Sequence, residues 1–203
     1  MILSIVNMQY FQRLIVPISY IDKIETKKHL MLVYDDIKKG REIECHFLRR
    51  GLERDEQCIY LTHDDPKLIE SEMERYGINV RHYKKNKLLH VDKMPNLVGD
   101  YENILIGMQN MMKHLPIDPK TPFRIVGRVI PDVGFEVAMA VEYHIEKTLQ
   151  TLFDELNGSI LCTYDFSQIQ SNNQWRDWLA KLESCHHATL LNICEKSQVK
   201  ITA

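Results

Sequence analysis

Short apolar runs alternate with longer segments of mixed polarity along most of the chain, from His29 onward. Each run is bounded by polar or turn-forming residues, which is typical of strands buried on both faces of a sheet. We predict five strands of this kind, at residues 29–34, 57–62, 123–130, 158–163 and 188–193.

The segments between these runs place apolar residues three or four positions apart, which is the period of a helix with one buried face. We predict helices at about residues 38–53, 66–76, 98–115, 135–153 and 174–183. Asp65 and Pro66 form a typical helix start, and Gly77 is a typical stop. The fourth helix is the most periodic, and its predicted inward face is Val137, Val141, Ile145, Leu149 and Leu152.

Strands that alternate with helices of this length need crossover connections between parallel strands. The sequence therefore predicts an α/β fold, a mostly parallel central sheet with helices on both faces. Residues 79–83 and 87–91 are predicted to be two further short strands. We predict one domain, residues 29–203, after an N-terminal extension, residues 1–28, which is helical and packs on the domain or on a second copy in a homodimer.

The charge balance, the hydropathy and the cysteine content indicate which kinds of partner and which cellular compartment the protein has. Lys plus Arg number 26 and Asp plus Glu 28, without the basic stripe of nucleic-acid-binding proteins, so we predict no direct contact with nucleic acid. No window approaches the ~20 apolar residues that cross a bilayer, so no membrane contact is predicted. The five cysteines lack CxxC spacing and indicate reduced thiols in a cytoplasmic protein. We predict no cofactor.

Polar residues follow the predicted strands at the edge where α/β proteins bind ligands, beyond the carboxyl ends of the strands. Arg128 ends an otherwise apolar strand. Its guanidinium needs either an anionic ligand or an acidic partner, for which the sequence offers Asp132, Glu142 and Asp165. The candidate ligand-binding residues are Tyr34, Asp35, His63, Asp64, Arg128, Glu142 and Asp165.

The turn after the first strand lacks the phosphate-binding loop of an ATPase. That loop reads GxxxxGK[ST], because glycines expose backbone N–H groups to the phosphates and the lysine neutralises them. Here the turn carries Asp35 and Asp36 and ends in Gly40-Arg41-Glu42. Since carboxylates repel phosphate and no other catalytic motif is present, we predict a non-enzymatic protein. Asp165 lies where an ATPase would hold Mg²⁺, but without the lysine we favour a structural hydrogen bond.

Two further patterns allow a second interpretation. Cys185-His186-His187 contains metal-ligating residue types, but adjacent ligands rarely point at one ion, so we predict a loop and no metal ligand. Met108, Met111 and Met112 are more typical of core packing, although polarizable methionine also suits an apolar or halogenated ligand.

Several of these segments resemble one family in order along the chain. Residues 45–62, which contain Phe47-Leu48, Gly51-Leu52 and Glu56, resemble the FLxxGLxxGExCxY segment of the MEDS family, sensory domains of methanogens and methylotrophs first recognised in a dichloromethane-responsive regulator. The other matching positions are His29, Tyr34, Gly77, Leu88 to Val91, Arg128, Glu142-Tyr143 and Leu161 to Asp165. The chain departs from the family at Asp55, where glycine is usual, at His144, and at Cys185 to His187.

The resemblance implies a RecA-like fold of the KaiC type without its phosphate loop, and a non-enzymatic sensory role. It implies binding of a small-molecule ligand or a signalling protein, and relay to a kinase or transcription regulator. Two alternatives stay open: a weak nucleotide-binding ATPase relative, and a scaffold or dimerisation protein without ligand. An open cleft holding Arg128 and Asp165 would favour nucleotide or an anionic metabolite, and a pocket filled by side chains would favour the scaffold.

Overall fold

Seven strands form one sheet with helices on both faces. The computed structural model describes residues 17–25, 27–94, 106, 110, 115–118, 120–193 and 196–202. The strands are β1 (His29–Tyr34), β2 (Gln57–Thr62), β3 (Leu89–Lys93), β4 (Phe123–Gly127), β5 (Gly158–Asp165), β6 (Ala188–Ile193) and β7 (Lys196–Ile201). The helices are α1 (Pro17–Asp22), α2 (Ile37–Leu52), α3 (Pro66–Arg75), α4 (Val80–Lys85), α5 (Glu136–Leu152), α6 (Phe166–Ser171) and α7 (Trp175–Glu183).

The strand order is β3-β2-β4-β5-β1-β6-β7. The first six strands are parallel, and β7 runs antiparallel to β6. Because parallel neighbours need crossover helices, this order covers both faces and gives two buried clusters. One cluster packs α1 to α4 against the sheet through residues such as Ile21, Phe47 and Ile69. The other packs α5 to α7 through residues such as Met139, Ile169 and Leu182. The predicted α/β fold is confirmed.

Local signals account for most element boundaries. Asp65 caps α3 by accepting a hydrogen bond from the Lys67 N–H at 2.9 Å, and Gly77 ends that helix region with a φ of 85°, as predicted. The prediction of a strand at residues 79–83 is wrong. The Asn79 side chain accepts a hydrogen bond from the His82 N–H at 3.0 Å and begins α4 there.

The predicted inward face of α5 is also partly wrong. Val137 is 67% exposed, whereas the fully enclosed positions are Met139, Glu142, Ile145 and Glu146. The two glutamates take buried positions because they have polar partners inside the protein, and the helix is rotated accordingly. β4 ends at Gly127, three residues before the predicted end at residue 130, and β7 and α6 were not predicted.

The predicted helix at residues 98–115, with its three methionines, falls almost entirely outside the described residues, as do residues 1–16 of the N-terminal extension. The described part of that extension includes α1, and its Ile21 is completely buried in the domain core. Among the described residues, no helix is both long enough and apolar enough to cross a bilayer.

Candidate functional site

A cleft opens where the chain leaves β1 and β5. Tyr34 and Asp165 end these two adjacent strands and are paired in register. After Tyr34 the chain enters α2 on one face of the sheet, and after Asp165 it enters α6 on the other face. Two neighbouring strands whose helices leave in opposite directions leave a crevice between them, which is the usual ligand site of an open parallel sheet.

The cleft has a volume of about 340 Å³ and a mixed polar and apolar lining. Five of the seven predicted site residues line it: Tyr34, His63, Asp64, Arg128 and Asp165. Asp35 follows Tyr34 but is not part of the lining, and Glu142 is fully buried away from it. Residues that the sequence analysis did not select also line the cleft, among them Arg41, Glu44, Tyr60, Thr163 and Gln168.

Arg128 is held in the cleft by neutral groups. Its Nη1 donates a hydrogen bond to Gln168 Oε1 at 3.0 Å, and its Nη2 donates to the Pro131 carbonyl oxygen. Its Nε is buried and has no hydrogen-bond acceptor among the described residues. The sequence left two alternatives open for this arginine, an acidic partner or an anionic ligand. No described carboxylate forms an ion pair with it.

Arg41, in contrast, is neutralised inside the protein. Its Nη1 lies 2.9 Å from Glu44 Oε2 and its Nε lies 2.8 Å from Glu72 Oε2. Tyr60 donates a hydrogen bond to the same Glu44 oxygen at 2.7 Å. Burial raises the pKa of Glu44, and the charge of Arg41 opposes that rise. The cation at the position of an ATPase lysine is therefore already paired with protein carboxylates.

Asp36 takes over the role that a phosphate would have at the start of α2. Its Oδ1 accepts hydrogen bonds from the backbone N–H groups of Lys38 at 2.8 Å and Lys39 at 3.4 Å. A phosphate-binding loop offers such N–H groups to its ligand. Because α2 begins at Ile37, only two residues separate it from β1, and the helix end is capped by the protein itself.

The other polar side chains of the cleft have defined roles. Asp165 Oδ1 accepts hydrogen bonds from the Ser167 N–H at 2.8 Å and hydroxyl at 2.6 Å, which confirms the predicted structural hydrogen bond. His63 Nε2 lies 3.0 Å from the Arg128 carbonyl oxygen, so it donates that hydrogen bond and Nδ1 is left as an acceptor. Burial lowers the pKa of His63.

A buried polar cluster lies behind the cleft, between β1, β5 and α5. His29, Glu146, Cys162 and His186 place their ligand atoms within 4.8 Å of one another. His186 belongs to the loop that the sequence predicted at residues 185–187, but its side chain points into the core and is 2% exposed. Burial alone would raise the pKa of Glu146, but His186 and His29 outweigh that effect and hold it well below its ordinary value.

Tyr164 and Glu142 connect this cluster to the loop that carries Arg128. The Tyr164 hydroxyl lies 2.5 Å from Glu146 Oε1 and 2.9 Å from Glu142 Oε1. Burial and the neighbouring Glu146 raise the pKa of Glu142 to about 8. Since the phenol has one proton, Tyr164 donates to one of these two carboxylates at a time. Glu142 Oε2 in turn accepts a hydrogen bond from the Ile130 N–H at 3.1 Å.

The family model for the MEthanogen/methylotroph, DcmR Sensory domain, MEDS, matches residues 28–186. The chain belongs to the MEDS family. This match includes both the cleft and the buried cluster of the MEDS chain, and it ends before β6. No curated protein matches the sequence.

The fold of this MEDS domain is similar to that of a KaiC-like protein from the hyperthermophilic archaeon Pyrococcus horikoshii, as its crystal structure shows. The TM-score is 0.57 at 13% sequence identity, over 85% of this chain and 76% of that one. The expected RecA/KaiC-like architecture is confirmed, and at this identity the likeness concerns the fold alone.

Proposed function

We propose that this MEDS domain is a non-enzymatic sensory module that binds a small anionic molecule in the cleft between β1 and β5. Its bound state is relayed to a separate kinase or transcription regulator. The observation that carries the proposal is Arg128, a cation that lines the cleft and forms no ion pair with any described carboxylate.

The size and placement of the cleft support a small ligand. A volume of about 340 Å³ lies at the low end of the roughly 300–1,000 Å³ of small-molecule sites. The guanidinium of Arg128 has N–H groups in excess of the two neutral acceptors that hold it, so a carboxylate or phosphate-type oxygen completes its hydrogen bonding. An open cleft with this arginine also argues against the scaffold alternative.

The same site argues against an ATPase-like use of nucleotide. Asp36 caps the helix N-terminus on which phosphates would lie, and Arg41 is paired with Glu44 and Glu72. Both features remove the positive potential that phosphoryl groups need. The anionic ligand is therefore expected to bind beside Arg128 and to leave the start of α2 unchanged.

Relay follows from the position of Arg128. Its Nη2 bonds the Pro131 carbonyl oxygen, so a ligand that reorients the guanidinium also acts on the loop after β4. A ligand shifts such a loop only to the extent that it binds one of its arrangements more tightly than another. We infer that the partner protein recognises one arrangement of this loop.

Calorimetric titration with inorganic phosphate, succinate, Mg-ATP and Mg-ADP tests the proposal. We expect saturable binding of at least one anion that Arg128→Gln weakens by about tenfold or more, because a hydrogen bond to a charged group contributes about 1.5–3 kcal/mol. Arg128→Lys keeps the charge but loses the planar fork, so binding of intermediate strength is expected.

Arg81→Gln, an exposed arginine on α4 outside the cleft, is the matched control and should bind as the parent protein does. Equal loss of affinity in both variants, or no binding by folded parent protein to any of these anions, would contradict an anion site at Arg128. Tight binding of Mg-ATP alone would restore the nucleotide alternative.

A further inference from the structure

Four potential metal ligands meet in the core behind the cleft. His29 opens β1, Cys162 lies in β5, Glu146 is on α5, and His186 precedes β6. All four are at most 5% exposed. This cluster brings imidazole, thiol and carboxylate groups from four separate elements together inside an otherwise apolar core, and the ligand residues of metal sites combine these types.

Four of the six distances between the ligand atoms are close to those around a single ion, and all six are within 4.8 Å. Glu146 Oε2 lies 3.1 Å from His29 Nε2, 3.3 Å from His186 Nε2 and 3.4 Å from Cys162 Sγ. Cys162 Sγ lies 3.4 Å from His29 Nε2. Zinc bonds of about 2.0–2.3 Å in a tetrahedron place neighbouring ligand atoms roughly 3.3–3.7 Å apart.

Hydrogen bonds on the far side of the histidines orient both rings toward that point. His186 Nδ1 lies 2.7 Å from the Leu182 carbonyl oxygen, and His29 Nδ1 lies 2.9 Å from Gln150 Oε1. A backbone carbonyl only accepts, so Nδ1 of His186 carries a proton, and in the neutral imidazole Nε2 presents its lone pair. Metal-bound histidines characteristically have such a second hydrogen bond.

When His186 is neutral and no cation is bound, its Nε2 and the Glu146 carboxylate face each other as two acceptors. His186 Nε2 is buried and has no hydrogen-bond partner among the described residues, although it faces the Glu146 carboxylate. A divalent ion between them removes this conflict. Together with one carboxylate, one thiolate and two neutral imidazoles it makes a site of zero net charge, which minimises the cost of burying ions.

We propose that His29, Glu146, Cys162 and His186 form a buried tetrahedral site for a divalent transition-metal ion of the zinc type. The ion is a structural centre that ties β1, β5, α5 and the loop before β6 together. Glu146 and Cys162 also line a small apolar cavity of about 50 Å³, so this side of the ligand set is not closed by tight packing. This proposal does not rest on the proposed function, because the metal site can be occupied whether or not a ligand binds in the cleft.

Metal analysis of purified full-length protein tests the site. We expect close to one zinc ion per chain after growth with added zinc. Removal by a chelator should lower the melting temperature, and Co²⁺ added to the metal-free protein should give the visible bands of tetrahedral cobalt with a thiolate-to-cobalt charge-transfer band. Cys162→Ser should abolish the charge-transfer band, and His186→Gln should reduce metal content.

Cys185→Ser is the matched control. Its sulfur donates a hydrogen bond to the Lys181 carbonyl oxygen and takes no part in the cluster, so metal content should be unchanged. The cobalt spectrum of the parent protein decides the question even if the ligand variants fail to fold. Folded parent protein that contains no metal and gives no cobalt bands would overturn the proposal in favour of a metal-free ion pair of His186 and Glu146. Loss of metal in Cys185→Ser equal to that in Cys162→Ser would overturn the ligand assignment.

Discussion

At the scale of single residues, Asp55 shows why one position of the family motif favours glycine. Its φ is 59°, in the left-handed region that side chains of L-amino acids rarely adopt. It lies in the turn between α2 and β2, just before Glu56, whose carboxylate pairs with the buried Arg124 at 2.6 Å. The chain must therefore change direction within the few residues between α2 and β2. Glycine adopts the left-handed conformation needed there without strain.

We predict that Asp55→Gly stabilises the protein by about 0.5–1 kcal/mol, because the strain of a left-handed side-chain-bearing residue is relieved. Urea unfolding measures the change. Asp55→Ala is the comparison and should be no more stable than the parent, since alanine lacks the local hydrogen bonding that helps aspartate adopt this conformation. A lower midpoint for Asp55→Gly would contradict the explanation.

The residue scale is also where sequence reasoning was least complete. Tyr34 and Asp165 end strands and Arg128 follows one, and that position alone pointed to the cleft. Glu44 and Glu146 lie within helices, where an acidic residue normally indicates a solvated face. Glu44 pairs with Arg41 one turn earlier on α2, but its other partner Tyr60 and the two histidines that face Glu146 come from distant parts of the chain. The local signals were the i,i+3 spacing of Arg41 and Glu44 on α2 and the i,i+4 spacing of Glu142 and Glu146 on α5.

At the scale of secondary-structure elements, α2 begins almost directly after β1, with no room for a phosphate-binding loop between them. It begins two residues after β1, and its first turn is capped by Asp36. Gly40 lies under the ring of Tyr34, where an added Cβ would come within 2.7 Å of the ring carbons. In a phosphate-binding loop, a glycine lets the backbone approach the phosphate. Here Gly40 instead leaves room for the Tyr34 ring to pack against α2.

We predict that Asp36→Ala lowers the free energy of unfolding by about 1 kcal/mol, through loss of the N-cap, and creates no nucleotide affinity. Asp36→Ser should retain most of the stability, since a hydroxyl also accepts from the helix N–H groups. Chemical denaturation gives the first result, and calorimetry with Mg-ATP gives the second. Measurable ATP binding by Asp36→Ala would mean that the cap alone excludes phosphate.

Element prediction succeeded where the signal was local. The apolar runs located five strands, and the Asp65-Pro66 cap located α3. It failed where tertiary contacts decide: α5 is turned by buried glutamates, and β7 is ordered as a strand by pairing with β6. α4 shows a different failure, because the Asn79 cap outweighed a run of residues that resembled a short strand.

At the scale of the whole molecule, folding encloses weakly acidic groups that must stay neutral. Burial, and after it the charge of Glu44, raises the pKa of the Cys45 thiol from 9.0 to about 12 and that of the Tyr34 phenol from 10.0 to about 12. In the unfolded chain these groups ionise at their ordinary values. Between those values and about 12, the unfolded state loses protons that the folded state retains.

Stability should therefore be independent of these groups below about pH 8 and should fall as the pH rises from there toward 12. For Cys45 alone we expect a loss of roughly 2.5–3 kcal/mol by about pH 11. Urea unfolding at a series of alkaline pH values measures the slope. Cys45→Ala should have a lower stability at neutral pH but a shallower alkaline decline, and an unchanged slope would contradict the role of this thiol.

The hydrogen-bonded chain from Glu146 through Tyr164 and Glu142 to the Ile130 N–H joins the buried cluster to the loop of the cleft. Through this chain, each of the two sites can affect the affinity of the other. If occupancy of one site changes the affinity of the other by some factor, thermodynamic linkage requires the same factor in return. A sensory domain with two sites linked in this way would respond to the supply of metal and of ligand together.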